Sequence, residues 1–390
     1  MSSLVQKTAT GGRLNVDKAI RSCLPSPVGA FASQIDSTTQ SLEVYFTASD
    51  QHTQQWTWNP SNGWLNTDLT TASGALNSTP NGPVSTIVDT FLSEPEVYYV
   101  GTDQHVHQFF ESSGIWHTAD ISALTGAPAS ATSVKSLTAL MDTVTGRPES
   151  YYAGQDQHVH QLYFDTNGWH TADISLSSGA SNVASGGTVT SMVNTLTGAP
   201  EIWYVGQDQH IHVIAFNSTA GWEAFDITSQ SGAPGAASTA GVTILIDSVT
   251  SRAETYFNGT DGHVHQLYWV PGICWCTSDL TTTTGAPPAA GGASITSLVD
   301  SLANQLEIYY VSSNQHVWQI GWSPQRNFFT LDVTGFTGAP NALGGTTLTA
   351  LVNTLDNALE LYYVGSDNHM HQLQWTAATG WRQFDISRSN

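Results

Sequence analysis

The sequence predicts an all-β fold, a seven-bladed β-propeller with four antiparallel strands per blade, and three observations carry the prediction. The first is a period. The motif Asp-x-His-x-His starts at Asp103, Asp156, Asp208, Asp261 and Asp367, with degenerate copies at Asp50 and Asn314, and successive starts lie 53, 53, 52, 53, 53 and 53 residues apart. The second is that three more columns keep this beat: Asp36, Asp89, Asp142, Asn194, Asp247, Asp300 and Asn353; Glu43, Glu96, Glu149, Glu201, Glu254, Glu307 and Glu360; and Asp68, Asp120, Asp173, Asp226, Asp279, Asp332 and Asp385. The third is that every unit holds four short β-branched or aromatic runs bounded by Gly, Pro or Asn. Repeats of about 53 residues with four strands each bury their faces by radial packing, and seven is an ordinary blade number.

The elements follow in order. Residues 1–26 form an N-terminal segment outside the repeat, and 27–390 form one domain with blades at approximately 27–79, 80–132, 133–185, 186–237, 238–290, 291–343 and 344–390. Blade 4 shows the plan: Val189 to Asn194, Glu201 to Val205, His210 to Phe216 and Trp222 to Ile227 read as strands from innermost to outermost. The hairpin at Gly206-Gln207-Asp208 and the interblade loop at Gly232-Ala233-Pro234 are expected on one rim. Blades 1 and 7 each carry all four of their strands in chain order, so closure without a swapped strand is expected, and residues 1 to 26 are placed to brace that seam.

Composition narrows the partners. With 31 acidic against 10 basic residues the chain lacks a phosphate-binding footprint, so nucleic acid and anionic membranes are excluded as expected partners. No run reaches the length of a membrane-crossing helix, and Met1 to Ser26 lacks the apolar stretch of a signal peptide. A cytoplasmic chain or a mature secreted one is expected, and the sequons at Asn77, Asn217 and Asn258 leave secretion open. Cys23, Cys274 and Cys276 make no disulfide framework, and Cys274 and Cys276 are read as packing residues.

Two column sets could carry chemistry. Histidines at i and i+2 of a strand share a face, so pairs such as His105/His107 and His158/His160 have chelating geometry. The same face continues into Leu162 and Phe164, which favours packed, hydrogen-bonded imidazoles; no metal and no cofactor is assigned. The other set pairs a Glu with a Gln twelve residues on: Glu96 with Gln108, Glu149 with Gln161, Glu254 with Gln266, Glu360 with Gln372. A carboxylate and an amide beside an aromatic face can hold the hydroxyls and the C–H patch of a sugar, and as the alternative they form a satisfied pair buried between blades. The Gly-Trp column supplies the rings Trp116, Trp169, Trp275 and Trp381.

The unit from Glu149 to Trp169, Glu-x-Tyr-Tyr-Ala-Gly-x-Asp-x-His-Val-His-Gln-Leu-Tyr followed by Gly-Trp, resembles the blades of bacterial and fungal propeller lectins, including fucose-binding ones. The resemblance spans all seven repeats and implies a carbohydrate-binding lectin with several glycan sites on or between blades. Its site residues are the Glu, Gln and Trp just named, its partners are glycans or glycoconjugates, and homo-oligomers remain open. The fucose-lectin pattern has Arg and Glu where this chain has Glu and Gln, and no arginine column recurs around the ring, so fucose itself is not implied.

Two other classes stay in view. The repeat breaks in blade 6, where Trp318, Arg326 and Phe328 are candidates for a single pocket of a propeller enzyme, a cyclase or pericyclase by resemblance. A protein-interaction scaffold is the third. Equivalent sites multiplied around a ring suit multivalent binding better than catalysis, so the reading leans to a binder, with the enzyme question left open.

Overall fold

The computed structural model describes residues 26–387 apart from 62, 133–136 and 240. It contains seven four-stranded antiparallel sheets, and within each the strand order follows chain order. In blade 4 the strands are Val189–Asn194, Ala199–Val205, Ile211–Asn217 and Gly221–Asp226. Their register sets Met192 opposite Glu201, Trp203 opposite Val213 and Phe216 opposite Trp222. The first strands touch one another all the way round, including blade 1 against blade 7.

Closure uses no swapped strand, as the sequence predicts. The seam is held by the Phe31 amide donating to Thr347 Oγ1 at 3.0 Å, by the Ser33 and Thr349 hydroxyls at 2.8 Å, and by Phe31, Phe46 and Trp56 packed with Tyr362 and Met370. The bracing role expected of residues 1 to 26 lies outside the described residues, Ser26 excepted.

The core sits between blades. Neighbouring tyrosines on a second strand point to opposite faces, so Tyr98 packs with Tyr152 of blade 3 while Tyr99 packs with Tyr45 of blade 1. Each is fully buried, and burial of a side chain that size stabilises by about 2 to 3 kcal/mol.

The interblade loops lie on the hairpin rim as expected: the Ala236 amide bonds Gln209 of the blade 4 hairpin, and Ala236 bridges to Gly259 of the next. The hairpins need a left-handed residue, supplied by Gln104, Gln157, Gln209 and Gln315 at φ between 64° and 68°, and by Gly262 in blade 5.

The sequence reading missed six helices of five residues, each directly after an outer strand: Leu69–Ser73, Ile121–Thr125, Ile174–Ser178, Ile227–Ser231, Leu280–Thr284 and Val333–Thr337. The late Asp column caps them. Asp120 Oδ1 accepts the Ala123 amide at 2.8 Å, and Gly126 closes the helix in the left-handed region at φ 70°. Five residues give no helical periodicity, but the spacing of a capping Asp and a terminal Gly was in the sequence.

Cys274 and Cys276 lie two residues apart on one face of the outer strand of blade 5, with Cα atoms 5.4 Å apart; Cys23 is outside the described residues.

Candidate functional site

On the second strand the column Glu and the Tyr two residues later share a face, and the Gln of the third strand stands opposite that Tyr. The three side chains close a small network. In blade 1, Tyr45 donates to Glu43 at 2.5 Å, and Gln55 donates to Glu43 at 3.1 Å and to the Tyr45 oxygen at 3.2 Å. In blade 5, Gln266 donates to Glu254 at 2.8 Å and to Tyr256 at 3.3 Å, and Tyr256 donates to Glu254. Tyr98 donates to Glu96, Tyr151 to Glu149 and Tyr362 to Glu360, while Gln161 and Gln372 reach the tyrosine oxygens of their own blades. Blade 4, which has Val213 in place of Gln, substitutes the Trp203 indole N–H at 3.1 Å and the Asn194 amide at 2.7 Å.

Every column Glu is buried, at 1% to 9% exposure. Burial pushes the carboxyls of Glu43, Glu96, Glu149 and Glu307 up to about 7 against the donors that hold them, and raises Glu201, Glu254 and Glu360 as well.

The tryptophan of the Gly-Trp column comes from the next blade. Tyr98 meets Trp169 edge-on at 6.1 Å, Tyr151 meets Trp222 at 6.2 Å, Tyr309 meets Trp381 at 6.0 Å and Tyr362 meets Trp64 at 6.4 Å. Trp116 accordingly packs in the cluster of Tyr45, and Trp275 meets Trp203 at 5.5 Å. Glu96 and Gln108 thus belong with Trp169, Glu149 and Gln161 with Trp222, and Glu254 and Gln266 with Phe328, which packs in the cluster of Tyr256.

Two of these junctions open into clefts. Between blades 6 and 7 a cleft of about 220 Å³ is lined by Glu307, Gln319, Arg326, Phe329, Trp375 and Trp381, among others. Between blades 7 and 1 a cleft of about 180 Å³ is lined by Glu360, Gln372, Gln374, Trp58, Trp64 and Phe384, among others. At the same third-strand position, blades 2, 3 and 5 carry Phe110, Tyr163 and Tyr268, whose rings are covered by His117 at 5.2 Å, His170 at 5.2 Å and Arg252 at 4.6 Å. Blades 6 and 7 carry Gly321 and Gln374 there. The Phe329 ring lies directly over Gly321, in the space a side chain there would need, and Arg326 stacks on Phe329 at 4.0 Å.

The trio Trp318, Arg326 and Phe328 does not form one pocket. Trp318 and Phe328 pack towards blade 5, whereas Arg326, in the turn before the outer strand, stacks on Phe329 and lines the cleft towards blade 7; alternation sends Phe328 and Phe329 to opposite faces. Arginine recurrence was also finer than a search for a seven-fold column shows. Arg147 and Arg252 both start second strands two residues before the column Glu, and Arg252 Nε donates to Glu254 at 2.6 Å.

The histidines form a second network on the hairpin rim. The first of each pair bonds the late Asp through Nδ1, as His158 with Asp173 and His210 with Asp226 at 2.8 Å. The second is buried, stacks on a strand-two ring, and bonds the marker Asp through Nε2, as His212 with Asp208 at 3.0 Å and Tyr204 at 5.4 Å. Residue pairs that close this network were legible as i, i+4 spacing for the second His, but the partner of the first stands 15 or 16 residues away.

No family model and no curated protein sequence matches the chain. Among solved structures it is similar to the BP39L lectin of Burkholderia pseudomallei, at 11% identity and TM-score 0.69 over 91% of this chain and 98% of that one. It is also similar to a mutant of AofleA from Arthrobotrys oligospora, at 14% identity and TM-score 0.56 over 93% and 88% of the two chains. The third is the Aleuria aurantia lectin, a six-bladed β-propeller described for its fucose recognition, at 13% identity and TM-score 0.52 over 93% and 96%. At such identities the likeness is one of fold, and the chain is a seven-bladed member of the β-propeller architecture that those lectins share.

Proposed function

We propose that the protein is a carbohydrate-binding lectin whose glycan sites lie at the junctions between blades. The observation that carries this is the cleft between blades 6 and 7, where a carboxyl, a primary amide, a guanidinium and two indoles converge on a space the size of a monosaccharide. Gln319 and Arg326 offer donors, Glu307 accepts or donates near neutral pH, and Trp375 and Trp381 offer faces for C–H groups. The cleft between blades 7 and 1, with Glu360, Gln372 and Trp64, is the second site. The junctions built on Glu96, Gln108 and Trp169, on Glu149, Gln161 and Trp222, and on Glu254 and Gln266 share the framework, with their entrances occupied by aromatic and cationic side chains. The likeness to fucose-binding propellers supports the class of ligand, and the Glu/Gln pairing in place of their pattern points to a different sugar.

A glycan array followed by calorimetry on the best hit tests this. Binding with about two strong sites per chain is expected, and Trp381→Ala should remove one of them while leaving the thermal transition in place. An array without hits, repeated with an intact ring by circular dichroism, would overturn the proposal.

A further inference from the structure

The hairpin rim carries a set of convergent ligand atoms that glycan binding leaves unused. In blade 2, His105 Nδ1 lies 2.8 Å from Asp120 Oδ2 and 3.7 Å from Asp103 Oδ2, and His107 Nε2 lies 3.1 and 3.2 Å from the two Asp103 oxygens. Three of these groups, Asp103, His107 and Asp120, bring ligand atoms within 4.8 Å of one another, and His105 borders them. Comparable trios are Asp156, His158 and Asp173 in blade 3, Asp208, His212 and Asp226 in blade 4, Asp261, His263 and His265 in blade 5, and Asp367, His369 and Asp385 in blade 7. A tetrahedral ion bound at about 2.0 to 2.2 Å spaces its ligand atoms about 3.3 to 3.6 Å apart, so small side-chain adjustments suffice.

We propose that each of the five complete Asp-x-His-x-His copies, together with the late Asp of its blade, binds one zinc ion. Nitrogen and oxygen donors in equal number suit a borderline cation, and two carboxylates with neutral imidazoles leave a charge that a divalent ion cancels. In blades 2 to 5, among the described residues, the ion pairs of these aspartates are all with histidine, and none is with lysine or arginine.

The backbone carries an independent mark of the same selection. Gly101, Gly154, Gly259 and Gly365 stand where an added Cβ would come within 2.7 to 2.9 Å of the second histidine's Nε2, and Gly206 is the equivalent in blade 4. Blade 1 has Gln54 in place of that histidine and Ala48 in place of the glycine; blade 6 has Trp318 and Ser312. Glycine is kept where the imidazole must enter the cluster and is released where it need not. Without metal, each imidazole shares a proton with its carboxylate; zinc displaces those protons, so affinity rises with pH through the imidazole range.

The test uses the full chain, stripped with a chelator, titrated with zinc chloride by calorimetry and counted by atomic absorption after desalting. About five zinc ions per chain are expected, with cobalt chloride giving the visible bands of tetrahedral cobalt. His107→Gln copies the residue that blade 1 already tolerates and should lower the count by one. Retention of less than one ion per chain, or a count unchanged by His107→Gln and His160→Gln together, would overturn the proposal and leave the histidines as hydrogen-bonded packing.

Discussion

At the residue scale, function and stability both hang on polar groups sunk between blades. Tyr98 is fully buried with its hydroxyl donated to Glu96, and Gln108 is its partner across the ladder. Tyr98→Phe strips a buried carboxyl of its nearest donor and should cost about 1 to 3 kcal/mol, read as a lower midpoint in urea denaturation. Gly154→Ala drives a methyl to 2.5 Å from Asp156 Oδ1 and 2.8 Å from His160 Nε2, so a loss of about 1 to 3 kcal/mol is expected. His160→Gln in the same chain should restore part of it, since Ala48 and Gln54 coexist in blade 1. The Glu and Gln columns were visible in the sequence as partners twelve residues apart. Their burial was not, because it depends on what the next blade lays over them.

At the element scale, the outer edge of each blade is finished by a capped turn of helix. Asp279 accepts the Thr282 amide at 2.8 Å, accepts its hydroxyl at 2.6 Å, and bonds His263 at 2.8 Å. Burial works against the carboxylate, but these donors and His263 outweigh it and hold its pKa down to about 2. Loss of the cap in Asp279→Ala should therefore destabilise by about 1 to 2 kcal/mol, and Asp279→Asn, which keeps an acceptor for the amide, by less; thermal melts of the two variants rank them. The helix also sends Thr281 Oγ1 back to the Val264 amide at 2.9 Å, so cap, histidine and third strand move together. Strand periodicity fixed the four strands from residues alone, and the late Asp column was visible as a repeated position. What that column caps escaped notice because the helices are too short to show a period.

At the scale of the whole molecule, the acidic columns make stability depend on pH with a definite sign. Four buried Glu carboxyls titrate at about 7 in the folded ring against an ordinary value of 4.5. Between those values the folded state holds more protons than the unfolded chain, so stability falls as pH rises through that window. His105 and His263, raised chiefly by their hydrogen bonds to Asp120 and Asp279, act in the same direction: their contribution is lost as pH rises through their folded values. The melting temperature is expected to be higher at pH 5.5 than at pH 8, and Glu307→Gln should flatten the dependence; a flat or inverted profile in the parent chain would refute the assignment.

The sequence by itself determined the number of blades, the strands and their order, because an internal period of 52 to 53 residues and a side-chain alternation of two are properties legible along the chain. It also determined which residue types each junction would contain. Only the tertiary structure decided which of them meet. Trp169 stands 73 positions from Glu96, and their junction exists because blade 3 packs against blade 2. The clefts are likewise a tertiary outcome: Gly321 and Gln374 look like lapses in a repeat, yet Phe329 lies over the first and the second lines the cleft between blades 7 and 1. Contacts between blades are made by side chains distant in sequence, and a column read along the chain does not reveal what the neighbouring column will cover.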